Sequence, residues 1–93
     1  MVECCVVVVN RLGLHARAAS QVVRLASSFQ SAIRLEREDG SAVADAKSIL
    51  SVLMLAAARG TKLRATAEGV DEREALDSLC ELFAEGFGEE AEK

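Results

Sequence analysis

The first residues of the chain, Val2 to Val9, form a run of β-branched and small apolar positions that does not alternate. Such a run predicts a central strand with both faces covered, or half covered. Asn10 to Leu14 contains Asn and Gly and reads as a loop. From Ala16 the rhythm changes. Ala19, Val22, Val23, Ala26 and Phe29 recur at three- and four-residue spacing, one face of a helix ending near Ser27 or Ser28. Ala32 to Arg37 then alternates, with Ile33 and Leu35 on the inner side of a half-buried strand. Asp39-Gly40 is a hairpin signal, because glycine tolerates the positive φ of a tight turn. A short strand is expected over Ser41 to Ala44.

"SILSVLML", from Ser48, predicts a short helix capped by Ser48, with Gly60 ending the segment. Ile49, Val52, Leu53 and Ala56 fit its inner face; Leu50 and Met54 do not. A docking surface and a helix buried on both faces are both consistent with that pattern. Thr61 to Glu68 alternates again, placing Leu63, Ala65 and Ala67 inward. Asp71 and Glu74 have the spacing of a capping box, followed by a helix through Ala75, Leu76, Leu79, Leu82 and Phe83. Gly86 and Gly88 end it, and an acidic tail of about 86–93 closes the chain. The order β-α-β-β-α-β-α, with one wet sheet face, predicts an α+β two-layer sandwich.

Ninety-three residues suffice for one domain and one modest core. With three Phe and neither Trp nor Tyr, that core is built from aliphatic side chains. A net charge of -4 argues against a general nucleic-acid binder, which needs a basic footprint. Cys4, Cys5 and Cys80 fit no disulfide framework or zinc pattern and read as small buried hydrophobes in a reducing compartment. No apolar stretch approaches the ~18 residues of a membrane span. No basic segment precedes the first apolar run, so a soluble cytoplasmic protein is expected.

The chain has one histidine, His15, at the start of the first helix. The first N–H groups of a helix lack intrahelical acceptors, and the macrodipole adds partial positive charge there. This field favours the neutral, nucleophilic imidazole and stabilises an anion formed on it. Arg17 can add a charge-assisted contact to phosphate oxygens. Phosphoryl transfer fits this position. So, from position alone, does a polar surface residue or an imperfect cap. A metal site lacks a second histidine, no cofactor is implied, and nothing supports a hydrolytic triad.

The letters around His15 carry more. "GLHARAAS" resembles the active-site segment of the HPr family, the histidine-containing phosphocarriers of the bacterial phosphotransferase system; Gly13, Leu14, His15, Ala16, Arg17 and Ala19 match it. "AKSILSVLMLAAARG" is similar to the family's second signature, and "GVDEREALDSLCELFAEGFGE" to its C-terminal helix and tail. The resemblance spans essentially the whole chain. It implies an open-faced β-sandwich, a four-stranded antiparallel sheet covered on one face by three helices. It implies that His15 accepts a phosphoryl group on Nδ1 from phosphorylated Enzyme I and passes it to an IIA component. Arg17 and the backbone N–H groups of Ala16, Arg17 and Ala18 would hold the group. Ser20, Arg24, Lys47, Ile49, Leu50 and Leu53 would dock partners, a role that accounts for the surplus apolar residues of the second helix. Ser48 matches a serine that a dedicated HPr kinase/phosphorylase modifies in many members; it is also a plain N-cap. A monomer is expected.

Three departures stand out. Ala18 occupies the family's usual proline, implying a more mobile turn around His15. Ser51 replaces a common glycine. The segment from Gly40 to Ser48 is about one residue long, so the third strand is expected to carry a bulge. Three roles compete: a sugar-uptake carrier, a regulatory or nitrogen-type paralogue signalling through phosphorylated His15, and a binding module in which His15 is incidental. The last leaves the conjunction of His15, Arg17 and Ser48 unexplained.

Overall fold

The computed structural model of the chain describes residues 1–89. Its elements are β1 (Val2–Val7), α1 (Ala16–Ser27), β2 (Ala32–Arg37), β3 (Val43–Asp45), α2 (Ile49–Met54), β4 (Lys62–Glu68) and α3 (Glu72–Ala84), followed by a 3-10 turn at Gly86–Gly88. All strand pairs are antiparallel, in the spatial order β1-β4-β2-β3. The described part of the expected acidic tail is thus a packed turn and Glu89; positions 90–93 lie outside the described residues.

Alternation decides which sheet face is covered. Ile33 and Leu35 of β2, Ala44 of β3, and Leu63, Ala65 and Ala67 of β4 are buried beneath the helices. Val22 and Ala26 of α1, Val52 of α2, and Leu79 and Phe83 of α3 complete one largely aliphatic core. The expected sandwich and the order of its elements are both found.

Several local expectations require correction. β1 is an edge strand, not a central one, and ends at Val7; Val6 and Val8 point inward while Val7 and Val9 are exposed. Its continuous valine run hides an alternation in burial. β3 lies at Val43–Asp45, two residues later than expected at its start, and pairs regularly with β2 through Arg34–Asp45, Leu35–Ala44 and Glu36–Val43, without a bulge. In the preceding turn, Asp39 accepts hydrogen bonds from the Ser41 backbone N–H and hydroxyl.

α2 is only one and a half turns long, and Val52 and Leu55 face the core rather than Ile49 and Ala56. Ala56, at φ 51°, ends it well before Gly60. Leu50 and Met54 are 69% and 78% exposed, which excludes burial of both helix faces.

Cys4 and Cys80 are not independent buried thiols. Their sulfurs face each other between β1 and α3, with Cα atoms 7.8 Å apart, wider than the span of an ordinary disulfide. Cys4 lies on the inward side of β1 and meets α3 there, a tertiary proximity across 76 residues of sequence that spacing does not reveal. Cys5, on the opposite face, is exposed and free.

The predicted capping box does not form. Asp71 is the N-cap of α3, but its carboxylate makes no cap bond. Instead it accepts from the backbone N–H groups of Gln30 and Ser31 at 2.9 Å each, and from the Ser31 hydroxyl at 2.5 Å. The carboxylate thus ties the α1–β2 connection to the start of α3. Gly69 is needed beside it: a Cβ there would stand 2.7 Å from the Ser31 Cα.

The Ser31 hydroxyl, then the Gln30 amide, hold Asp71 below its ordinary value of 3.8. A depressed folded-state value stabilises the fold above the unfolded-state value, and that contribution is lost as pH falls through the folded one. Asp71→Asn is therefore expected to lower the urea midpoint at neutral pH. It should also flatten the loss of stability that the parent chain shows on acidification below about pH 4. Urea titrations at a series of pH values check this.

Candidate phosphoryl-carrier site

The site begins where β1 runs out. The Asn10 side chain is buried, and its amide donates to the Gly13 carbonyl at 2.7 Å, closing the loop; its buried Oδ1 has no hydrogen-bond partner among the described residues. The Leu14 N–H donates to the Ala57 carbonyl at 2.9 Å, and the Leu14 side chain is buried. These contacts press the loop against the chain leaving α2. Gly13 has φ +70°, and a Cβ there would lie 2.6 Å from the Ala57 oxygen. Gly13→Ala is expected to cost about 2–4 kcal/mol through backbone strain and this clash. A urea unfolding curve measures it, and phosphoryl acceptance should fall with it, because His15 is two residues on.

His15 is the N-cap of α1, in extended conformation at φ -75°, ψ 179°. Its Nδ1 accepts from the Arg17 backbone N–H at 3.3 Å. An imidazole nitrogen that accepts is unprotonated, so the ring proton sits on Nε2. Nε2 in turn donates to the Glu89 carboxylate in a short contact. The Nδ1 lone pair therefore faces the amide end of a twelve-residue helix whose first turn contains no acidic residue. A negative group bonded to Nδ1 would meet those donors and not a carboxylate of the same turn.

Arg17 and Ala16 are exposed, and Ala18 is buried against the core. The Glu89 carboxyl beside this site lies below its ordinary range. The His15 hydrogen bond is the leading cause, with Asn10 and the His15 and Arg17 charges contributing and burial opposing.

The remaining predicted residues fall on adjacent elements. Ser20 and Arg24 lie on α1, with the Arg24 guanidinium 3.5 Å from the Ser20 hydroxyl. α1 packs against α2, which carries exposed Ile49 and Leu50 and half-buried Leu53. Lys47, just before α2, donates to the Phe29 carbonyl at 2.9 Å. Ser48 caps α2, its Oγ accepting from the Ser51 N–H at 3.4 Å. Sequence reasoning missed Asn10 and Glu89. In the sequence Asn10 marks only a loop and Glu89 only an acidic tail; neither shows a spacing that points to His15.

A β-α-β-β-α-β-α sandwich presenting one histidine at the amide end of its first helix defines the class of small phosphocarrier proteins, which carry a phosphoryl group between partners and are not themselves enzymes. A family model described as the PTS HPr component phosphorylation site matches residues 2–85. The phosphocarrier protein HPr of Cupriavidus necator is 46% identical over 82 residues, covering 88% of this chain and 90% of its own. The phosphocarrier protein NPr of Proteus mirabilis is 40% identical over 85 residues, covering 91% and 93%. A crystal structure of HPr-C-His from Thermoanaerobacter tengcongensis superimposes with a TM-score of 0.91 at 38% identity, covering 98% of this chain and all of that one. The chain belongs to the HPr family of the phosphotransferase system. Among the described residues, no helix is long and apolar enough to cross a membrane.

Proposed function

We propose that the chain, working as one monomeric HPr domain, accepts a phosphoryl group from phosphorylated Enzyme I on Nδ1 of His15 and passes it to an IIA component. The observation that supports this reading most is the ring's orientation, with Nδ1 accepting from the helix N-terminus and Nε2 carrying the proton. The lone pair of Nδ1 attacks phosphorus as the bond to the donor breaks, and the electron pair of that bond leaves with the donor. The Arg17 guanidinium and the N–H groups of Ala16, Arg17 and Ala18 then balance the phosphoryl charge. Little covalent chemistry is required of the protein, because the partners share the task of positioning.

Ile49, Leu50 and Leu53, with Ser20, Arg24 and Lys47 beside them, form the docking face for both partners. Phosphorylation of Ser48 by a serine kinase would add about two negative charges at the edge of that face and weaken docking. The similarity to an NPr supports a second reading, a nitrogen-type or regulatory carrier using the same histidine. The two are separated by charging the chain with phosphoenolpyruvate and Enzyme I, then offering a sugar-type and a nitrogen-type IIA in parallel. Faster discharge to the sugar-type protein supports the first role; faster discharge to the nitrogen-type protein assigns the second.

A further inference from the structure

The carboxyl end of α2 has to be satisfied from outside, because a six-residue helix leaves most of its carbonyls without intrahelical donors. Arg37, the last residue of β2, does this. Its Nη1 donates to the Leu55 carbonyl at 2.9 Å and lies 3.4 Å from the Ala56 carbonyl. α2 has no basic residue in its own last turn, so the guanidinium also supplies the positive charge that a helix C-terminus favours. The next residue of the same segment holds the loop that presents His15. The Ala57 carbonyl accepts from the Leu14 N–H at 2.9 Å and stands where a Cβ on Gly13 would fall. Between these contacts the backbone is left-handed at Ala56, φ 51°, a conformation that a residue with a Cβ keeps only where its surroundings impose it. Arg37 is itself well fixed. Its N–H donates to the Ala42 carbonyl at 2.9 Å, it pairs with Leu63 of β4, and its Nε lies 3.7 Å from the Asp39 carboxylate.

We propose that Arg37 is a positioning residue for phosphoryl transfer, an inference that rests on His15 being the acceptor. It acts through the segment Leu55–Ala57, not on the phosphoryl group. The guanidinium holds two successive carbonyls at the exit of α2. This keeps Ala56 in its left-handed turn and aims the Ala57 carbonyl at Leu14. The Leu14 amide in turn places the next residue, His15, at the start of α1. The same segment ends the helix that bears Ile49, Leu50 and Leu53, the residues of the proposed docking face. One side chain on the sheet therefore fixes the acceptor nitrogen relative to that face. Transfer from a docked partner depends on this relation, because its chemistry is mostly positioning. A displacement of about 1 Å is enough to slow such a step, while the docking surface and its affinity stay nearly intact.

Three variants of the full chain test this. Arg37→Met keeps an unbranched stem and removes the donors, Arg37→Lys keeps a charged donor, and Arg37→Met is also combined with Ala56→Gly. Urea unfolding and the total adduct by intact mass first establish that each is folded and fully chargeable. In Arg37→Met the maximal rate of single-turnover transfer from phosphorylated Enzyme I should fall about tenfold, while the carrier concentration at half-maximal rate changes less than about twofold. The Leu14 amide proton should exchange with solvent about tenfold faster, as its bond to Ala57 loosens. Arg37→Lys should lose only about threefold in rate, and it carries the comparison alone if Arg37→Met does not fold. Ala56→Gly should restore part of the rate in the Arg37→Met background, because glycine takes the left-handed turn without a Cβ penalty. Parental rates with parental Leu14 protection overturn the proposal. So does a loss expressed wholly in the half-maximal concentration, which assigns Arg37 to docking; in both cases His15 stays the acceptor. Failure of the parent chain to accept a phosphoryl group overturns the carrier reading and this role with it.

Discussion

Replacing His15 with alanine is expected to abolish phosphoryl acceptance altogether while leaving a folded protein. In the proposed mechanism every other contribution at the site acts on a group bonded to Nδ1, so no residual transfer is expected. The helix donors, Arg17 and Glu89 have nothing to stabilise without it. The structural cost is confined to a lost cap bond from the Arg17 N–H and the contact to Glu89, on a side chain about a quarter exposed. Loss of an N-cap acceptor costs roughly 1 kcal/mol. The variant should therefore unfold cooperatively at a slightly lower urea concentration and gain no mass on incubation with phosphoenolpyruvate and Enzyme I.

The second large effect is expected at Leu50. This side chain is 69% exposed and heads an apolar face with Ile49 and Met54. Exposure means that Leu50→Glu changes stability by no more than about 0.5 kcal/mol. In the proposed docking face the same change removes an apolar anchor and sets a negative charge among the basic groups Arg17, Arg24 and Lys47, where an acidic partner surface would meet it. Loss of such an anchor costs roughly 2–3 kcal/mol of association. Transfer from Enzyme I, measured as kcat/KM for the carrier, should fall about thirty- to hundred-fold. The intrinsic lability of phosphohistidine, once formed, should be unchanged. Equal loss of unfolding stability and transfer would mean that Leu50 acts through the core.

How much of this was legible in the sequence depends on how local the cause is. β2 is found at Ala32–Arg37 as its alternation predicts, because a strand with one wet face writes its period directly into the chain. β1 misleads because valines occupy its outward positions too, so the pattern cannot tell an edge strand from a central one. α2 is too short for a helical period to separate Ile49 from Leu55. The Asp71 carboxylate has the spacing of a capping box, but tertiary packing gives it better donors at Gln30 and Ser31. His15 and Arg17 were readable because helix-end electrostatics is local and because their neighbours match a family signature. Glu89, Asn10 and the Cys4–Cys80 pairing were not, since each is defined by contacts across most of the chain.

The central claim, that this chain relays a phosphoryl group through His15, is tested most directly by intact mass in two steps. The protein is first incubated with phosphoenolpyruvate and Enzyme I, alongside His15→Ala, and IIA is then added. The account predicts a single acid-labile phosphoryl adduct on the parent chain, none on the variant, and loss of the adduct to IIA in the second step. An adduct that persists in His15→Ala, or none on the parent while Enzyme I charges its own carrier, would contradict it.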